Sequence, residues 1–154
     1  MDLESPIKVY GSSISYFTGK LENYFRIKGV AYDFYPMTVR GPRLRMQEAV
    51  GSTQIPAIEF ADGSWMSDTT PIIQWFESNH PGPKVTPLDP LQNFFSLLLE
   101  DYADEWLWRP AMHYRWYYER GARFAGAHLA EELGSDSPFP QFFLRWQITR
   151  RQRQ

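Results

Sequence analysis

Apolar and polar positions along the chain follow two rhythms. From Ile7 to about Asn79, short apolar runs of strand character alternate with segments of helical period; beyond Leu91 only the helical period remains. "IKVY" (7–10) predicts a strand. After a Ser-rich turn, Phe17, Leu21, Tyr24 and Phe25 recur at helical spacing, and Gly29 ends that helix. "VAYDFYPM" (30–37) has strand composition, and "PRLRMQEAVG" (42–51) predicts a short helix opened by Pro42 and closed by Gly51. Strands over 55–60 and 64–66 follow, joined by "ADG", where Gly63 can take positive φ. "SDTTPIIQWFESNHPG" (67–82) predicts a helix with Asp68, Thr69 or Thr70 as cap, Pro71 in the first turn and a buried stripe of Ile72, Ile73, Trp75 and Phe76.

The segment "HPGPKVTPLDP" (80–90) carries four prolines in eleven residues, so helix cannot continue through it. The pattern divides the chain into an α/β domain at 1–80 of order β-α-β-α-β-β-α, a Pro-rich linker at 81–90 and a helical domain at 91–154. In the latter, a long helix spans 91–109, Pro110 kinks or restarts it, 111–133 continues helical, "GSDSPFP" (134–140) interrupts, and a last helix starts near Gln141.

Composition narrows the class. With 43% hydrophobic and 17% aromatic residues, the chain has ample material for a packed core. The net charge of -2 is spread evenly, with 8 basic and 9 acidic residues in 1–85 and the same counts in 86–154, so nucleic acid is not an expected partner. Only "RWQITRRQRQ", with four arginines and no acid, is one-sided, and it reads as a solvated helix end. The absence of cysteine excludes disulfides, thiolate metal sites and CxxC redox pairs. No leader pattern or membrane-length apolar run occurs, which makes the cytoplasm the expected location and a membrane an unexpected partner. Phosphate-loop, dinucleotide, zinc-protease and serine-hydrolase motifs are missing.

One position conflicts with local rules. Pro56 sits at the start of an apolar strand, where it cannot donate a ladder hydrogen bond. Together with "GSSISYFTGK" (11–20), "QIP" (54–56), "SDTTPII" (67–73) and the element order, it resembles the cytosolic glutathione S-transferase superfamily, in its serine-type, bacterial-like form. The resemblance implies a thioredoxin-like α/β domain followed by an all-α domain. It further implies a cis Ile55-Pro56 bond that turns the Ile55 backbone toward the cysteinyl part of glutathione, with Gln54, Asp68 and Thr69 at its γ-glutamyl end. On the same grounds Ser15 stands where a hydroxyl supports the glutathione thiolate, with Ser13 and Tyr10 as alternative contacts. Taken as local chemistry alone, Ser15, Asp68 and Thr69 are also good helix caps, and Gln54 a plain edge residue.

The implied activity is binding glutathione as co-substrate and transferring its thiolate to a small hydrophobic electrophile, a detoxification reaction, in a homodimer. The alternative is a non-catalytic interaction module of the same fold. Arg40, Arg43 and Arg45 lie near the family's glycyl-carboxylate contact but read equally as solvated arginines and stay outside the expected site. "EDYADEW" (100–106) gathers four carboxylates among aromatics; without a Glu-x-x-His pattern no metal is expected there, and the aromatics Phe94, Phe95, Tyr102, Trp106 and Trp108 read as core. The family's helical domain runs longer, with a later helix opened by a Ser/Thr-x-x-Asp box; its lack here implies uncovered apolar faces on 91–133.

Overall fold

The computed structural model describes residues 6–153; the outermost positions of the two predicted domains, 1–5 and 154, lie outside that range. The chain forms two compact units. The first comprises the residues up to Val85 together with Glu131–Pro138, and the second comprises Thr86–Ala130 and Phe139–Gln154.

In the first unit, β1 (Ile7–Gly11), α1 (Tyr16–Lys28), β2 (Tyr32–Pro36), α2 (Pro42–Val50), β3 (Ala57–Glu59), β4 (Trp65–Ser67) and α3 (Thr69–Asn79) follow in that order. The strands make one sheet of order β2-β1-β3-β4, with β1 parallel to β2 and β3 antiparallel to both of its neighbours. This is the expected thioredoxin-like arrangement. The predicted helix stops at Gly29 and Gly51 and the turn at Gly63 hold for one physical reason: these glycines sit at φ of 77°, 69° and 81°, where a side chain would be strained. The third strand begins at Ala57 rather than at Ile55, because Pro56 has no N–H for the ladder; the Ile55-Pro56 bond is cis.

Side chains alternate across the sheet. Ile7, Val9 and Ile58 join Leu21, Phe25, Phe60, Ile72 and Phe76 in the larger core, built with α1 and α3. On the opposite face Tyr10, Met37, Met46 and Ala57 form a smaller cluster, against which Ile55, Trp65 and Leu133 pack. A buried ion pair ties α1 to α3: Lys28 Nζ lies 3.0 Å from Glu77 Oε1, and Tyr24 donates to the same oxygen at 2.8 Å.

The second unit contains α4 (Pro90–Tyr102), a π-helical turn (Ala103–Leu107), α5 (Trp108–Tyr117), most of α6 (Glu119–Leu133) and α7 (Gln141–Gln152). The predicted disturbance by Pro110 falls one turn earlier than Pro110 itself. A proline ring collides with the carbonyl four residues back, here that of Trp106, and the helix widens there into the π turn. A break at Tyr118, with extended φ/ψ of -76° and 132°, divides the expected 111–133 helix. Gly121 follows it closely because a Cβ there would meet the Arg115 carbonyl at 2.7 Å. The unit's buried residues are mostly small: Ala122, Ala125, Gly126 and Ala130, with Trp116 and Leu144.

The expectation that the aromatics of 94–108 form core is overturned. No residue of α4 or the π turn is buried, and Phe94 and Trp106 are 58% and 59% exposed. The carboxylates of 100–106 are not buried either. The apolar side of α4 is a bare stripe.

Candidate functional site

Strand register assembles the site. Gly11 pairs with Pro36, Tyr10 with Ala57, and Ala57 with Ser67. The carboxyl ends of β1, β2 and β4 and the beginning of β3 therefore share one end of the sheet. Four segments leave from that end: the Ser12–Ser15 loop, residues 37–41, the 54–56 turn and the start of α3. In open α/β sheets this is where ligands bind, because strand ends and helix starts there present backbone N–H groups that no ladder uses.

The Ser loop is tightly wound. Gly11 is required where it is, since a Cβ would collide with the Thr18 side chain. Ser15 N–H donates to the Ser12 carbonyl at 2.9 Å, and Ser15 Oγ caps α1 by accepting the Thr18 N–H at 3.4 Å. Capping uses a lone pair and leaves the Ser15 O–H as a donor. Ser12 is buried and Ser13 exposed.

At the 54–56 turn, Gln54 is exposed and its N–H bonds Ser52 Oγ at 3.1 Å. Ile55 is half-buried by side chain, while among the described residues no hydrogen bond engages its N–H or C=O. Pro56 is buried, and its carbonyl accepts the Asp68 N–H at 3.3 Å, which couples this turn to the start of α3. Asp68 is exposed, holds φ of 75° and caps α3 through the Thr70 N–H at 3.3 Å. Thr69, the first residue of α3, is buried.

Tyr10 lies in the smaller cluster. Its hydroxyl donates to Glu59 Oε2 at 2.8 Å and accepts from Arg45 at 3.2 Å. Burial and the Glu59 carboxylate push its pKa from 10.0 up to about 12, against a smaller opposing effect of Arg45. Tyr10 is thus a neutral phenol already engaged by two partners. Arg43 bonds Thr53 Oγ1 at 3.4 Å, and Arg45 also lies over the Trp65 ring at 5.9 Å.

Two acidic residues, Glu132 and Asp136, reach this end of the sheet without any sequence signal. Glu132 accepts from Ser12 Oγ at 2.6 Å and from Ser13 N–H at 2.9 Å. Asp136 accepts from the N–H groups of Val39, Arg40 and Gly41 at 3.1, 2.8 and 3.0 Å. Burial acts to raise its pKa, but the bonds from Thr38, Arg40, Gly41 and Val39 outweigh that and hold it below the usual carboxylate range. Each bond spans about a hundred residues, which no local pattern encodes. Among the described residues no cluster of His, Asp and Glu can hold a metal ion, and no helix is long and apolar enough to cross a membrane.

A family model described as the glutathione S-transferase N-terminal domain matches residues 9–84, the segment that builds this sheet end. The chain carries the N-terminal domain of the glutathione S-transferase superfamily. Many solved structures share the fold. A Tau class glutathione S-transferase from mango is 19% identical with a TM-score of 0.59, over 81% of this chain and 60% of that one. Glutathione transferase Omega 3C from Trametes versicolor is 16% identical with a TM-score of 0.60, over 83% and 56%. A glutathione transferase homolog from Burkholderia, with bound glutathione, is 16% identical with a TM-score of 0.57, over 82% and 65%. The chain spans less than two thirds of the length of each of these structures. No curated protein matches the sequence. In the glutathione S-transferase domain of this chain, the cis proline, the Ser loop and the start of α3 occupy one end of one sheet.

Proposed function

We infer that this chain binds glutathione at the end of its sheet and presents the thiolate to a small hydrophobic electrophile. The observation that carries this reading is the Ile55 backbone, which offers an N–H and a C=O without partners among the described residues, at the cis turn that hydrogen-bonds to the start of α3. An extended peptide pairs with such an edge as an added strand does. Asp68, exposed beside it, suits the γ-glutamyl ammonium, with Gln54 and the start of α3 at Thr69 completing that end; Pro56 holds the turn. Ser15 donates its O–H to the sulfur. Solved relatives with bound glutathione support the choice of ligand.

In the proposed reaction, the thiol proton leaves to solvent, the sulfur forms a bond to an electrophilic carbon, and the leaving group departs with the bonding electron pair. A free thiol ionises near pH ~8.5, and a helix start together with a hydroxyl donor lowers that value. The bare stripe of α4 supports burial against a second copy of the chain, as a homodimer, and it also supports a second reading in which the fold serves as a non-catalytic interaction module.

Retention on immobilised glutathione, with release by free glutathione and loss in Asp68→Ala, tests the binding reading; a folded parent chain that passes through unretained would refute it. Catalysis is tested by conjugation of a general aryl halide. Ser15→Ala should lower that rate at least tenfold, and an unchanged rate would remove Ser15 from the mechanism.

A further inference from the structure

The 131–138 segment belongs to the first unit although it is separated from the rest of it by 45 residues of the second, Thr86–Ala130. It is anchored at three points. Glu132 accepts from Ser12 and Ser13, Leu133 packs on the cluster that contains Ile55, and Asp136 accepts from three successive N–H groups at 39–41. Gly41 precedes α2 and has no side chain with which to cap it, and Asp136, from 95 residues away, holds the three N–H groups just ahead of the helix. The segment thus sets two carboxylates on amide and hydroxyl donors at the end of the sheet assigned above to a peptide with two carboxylates of its own.

We propose that the 131–138 segment is an internal competitor of glutathione: seated, it holds the Ser12, Ser13 and 39–41 donors at the same sheet end as the Ser15 and Ile55 contacts assigned above and places the Glu132 charge beside the Ser loop, and the ligand binds by displacing it. This rests on the glutathione reading given above. Two physical effects point the same way. Donors already bonded to a carboxylate gain little from a second one, and a negative charge next to the Ser loop opposes a second negative charge on sulfur. The segment therefore selects for ligands that bring enough anionic contacts to replace both Glu132 and Asp136, and it disfavours simple thiols.

The test compares the parent chain with Glu132→Gln/Asp136→Asn, which keeps size and removes both charges, and with Glu132→Ala/Asp136→Ala, which removes both acceptors. Circular dichroism establishes that each is folded, and calorimetric titration with glutathione gives Kd. If the segment is seated about nine-tenths of the time, freeing the site tightens apparent binding about tenfold. In the parent, saturating glutathione should also speed amide exchange across 134–137 as the segment leaves. Unchanged or weaker binding in folded variants, or increased protection of 134–137, would overturn the proposal, since the segment would then be a support of the site. If none of the three proteins binds glutathione, the glutathione reading itself fails and the competition falls with it, an outcome distinct from binding that is present but insensitive to the substitutions.

Discussion

Replacing Glu77 by alanine should destabilise the first unit more than any surface substitution in it. Lys28 is 1% exposed, and its ammonium is held by Glu77 at 3.0 Å and by the Pro83 and Gly82 carbonyls at 3.1 and 3.3 Å. Glu77 also accepts from Tyr24 O–H at 2.8 Å and Val85 N–H at 3.2 Å. Glu77→Ala leaves a buried cation with only carbonyl dipoles and removes the acceptor of two further donors. Breaking a buried pair by removing one partner costs about 3–5 kcal/mol. With a urea slope of about 2 kcal/mol/M, the unfolding midpoint should fall by about 2 M. Arg26→Ala provides the contrast: its contact with Glu22 is 3.3 Å long but the arginine side chain is 62% exposed, and such a pair contributes about 0–1 kcal/mol. Lys28→Met/Glu77→Leu should recover much of the loss, because an apolar pair of similar volume needs no counter-ion. Urea unfolding followed by circular dichroism reads all of these. A Glu77→Ala loss under about 1 kcal/mol would refute the reasoning, for it would mean that water reaches the Lys28 ammonium.

Two further outcomes follow from the cores. Phe76 is fully buried and packs against Phe25 at 4.9 Å and Phe60 at 6.3 Å between ring centroids, so Phe76→Ala should cost about 3–5 kcal/mol in the same assay. Tyr10 titrates at about 12 instead of 10.0, chiefly through burial and then through Glu59; a raised folded-state pKa gives stability that is complete below pH 10 and is lost as pH rises through about 12. The phenolate absorbance missing from Tyr10→Phe should appear in that upper range, and its appearance near pH 10 would contradict the Tyr10–Glu59 contact.

Much of the first unit was legible because local chemistry and global fold agree there. Gly29 and Gly51 stop helices by adopting positive φ, Pro42 starts one, and Asp68 caps another, each through bonds within a few residues. The cis bond at Pro56 was legible only through the resemblance, since a lone X-Pro pair reads as an edge-strand proline. Lys28 looks like an ordinary last-turn lysine, and nothing near it announces Glu77, 49 positions on. Glu132 and Asp136 were invisible for the same reason at greater distance. On α4 the helical period is plain in the sequence, but periodicity reports that an apolar face exists and not that anything covers it.

The tie between Ser12 and Glu132 crosses 120 positions, which has a consequence for synthesis. A ribosome adding about 5–20 residues per second takes roughly 3–10 s to travel from Val85 to Asp136. During that interval the nascent sheet can pair its strands and close its larger core, yet the amides of Ser13 and of 39–41 lack their Glu132 and Asp136 acceptors. The first unit is therefore finished only once residues 131–138 have emerged, and a messenger cut short after Val85 yields a sheet with its donor-rich end open.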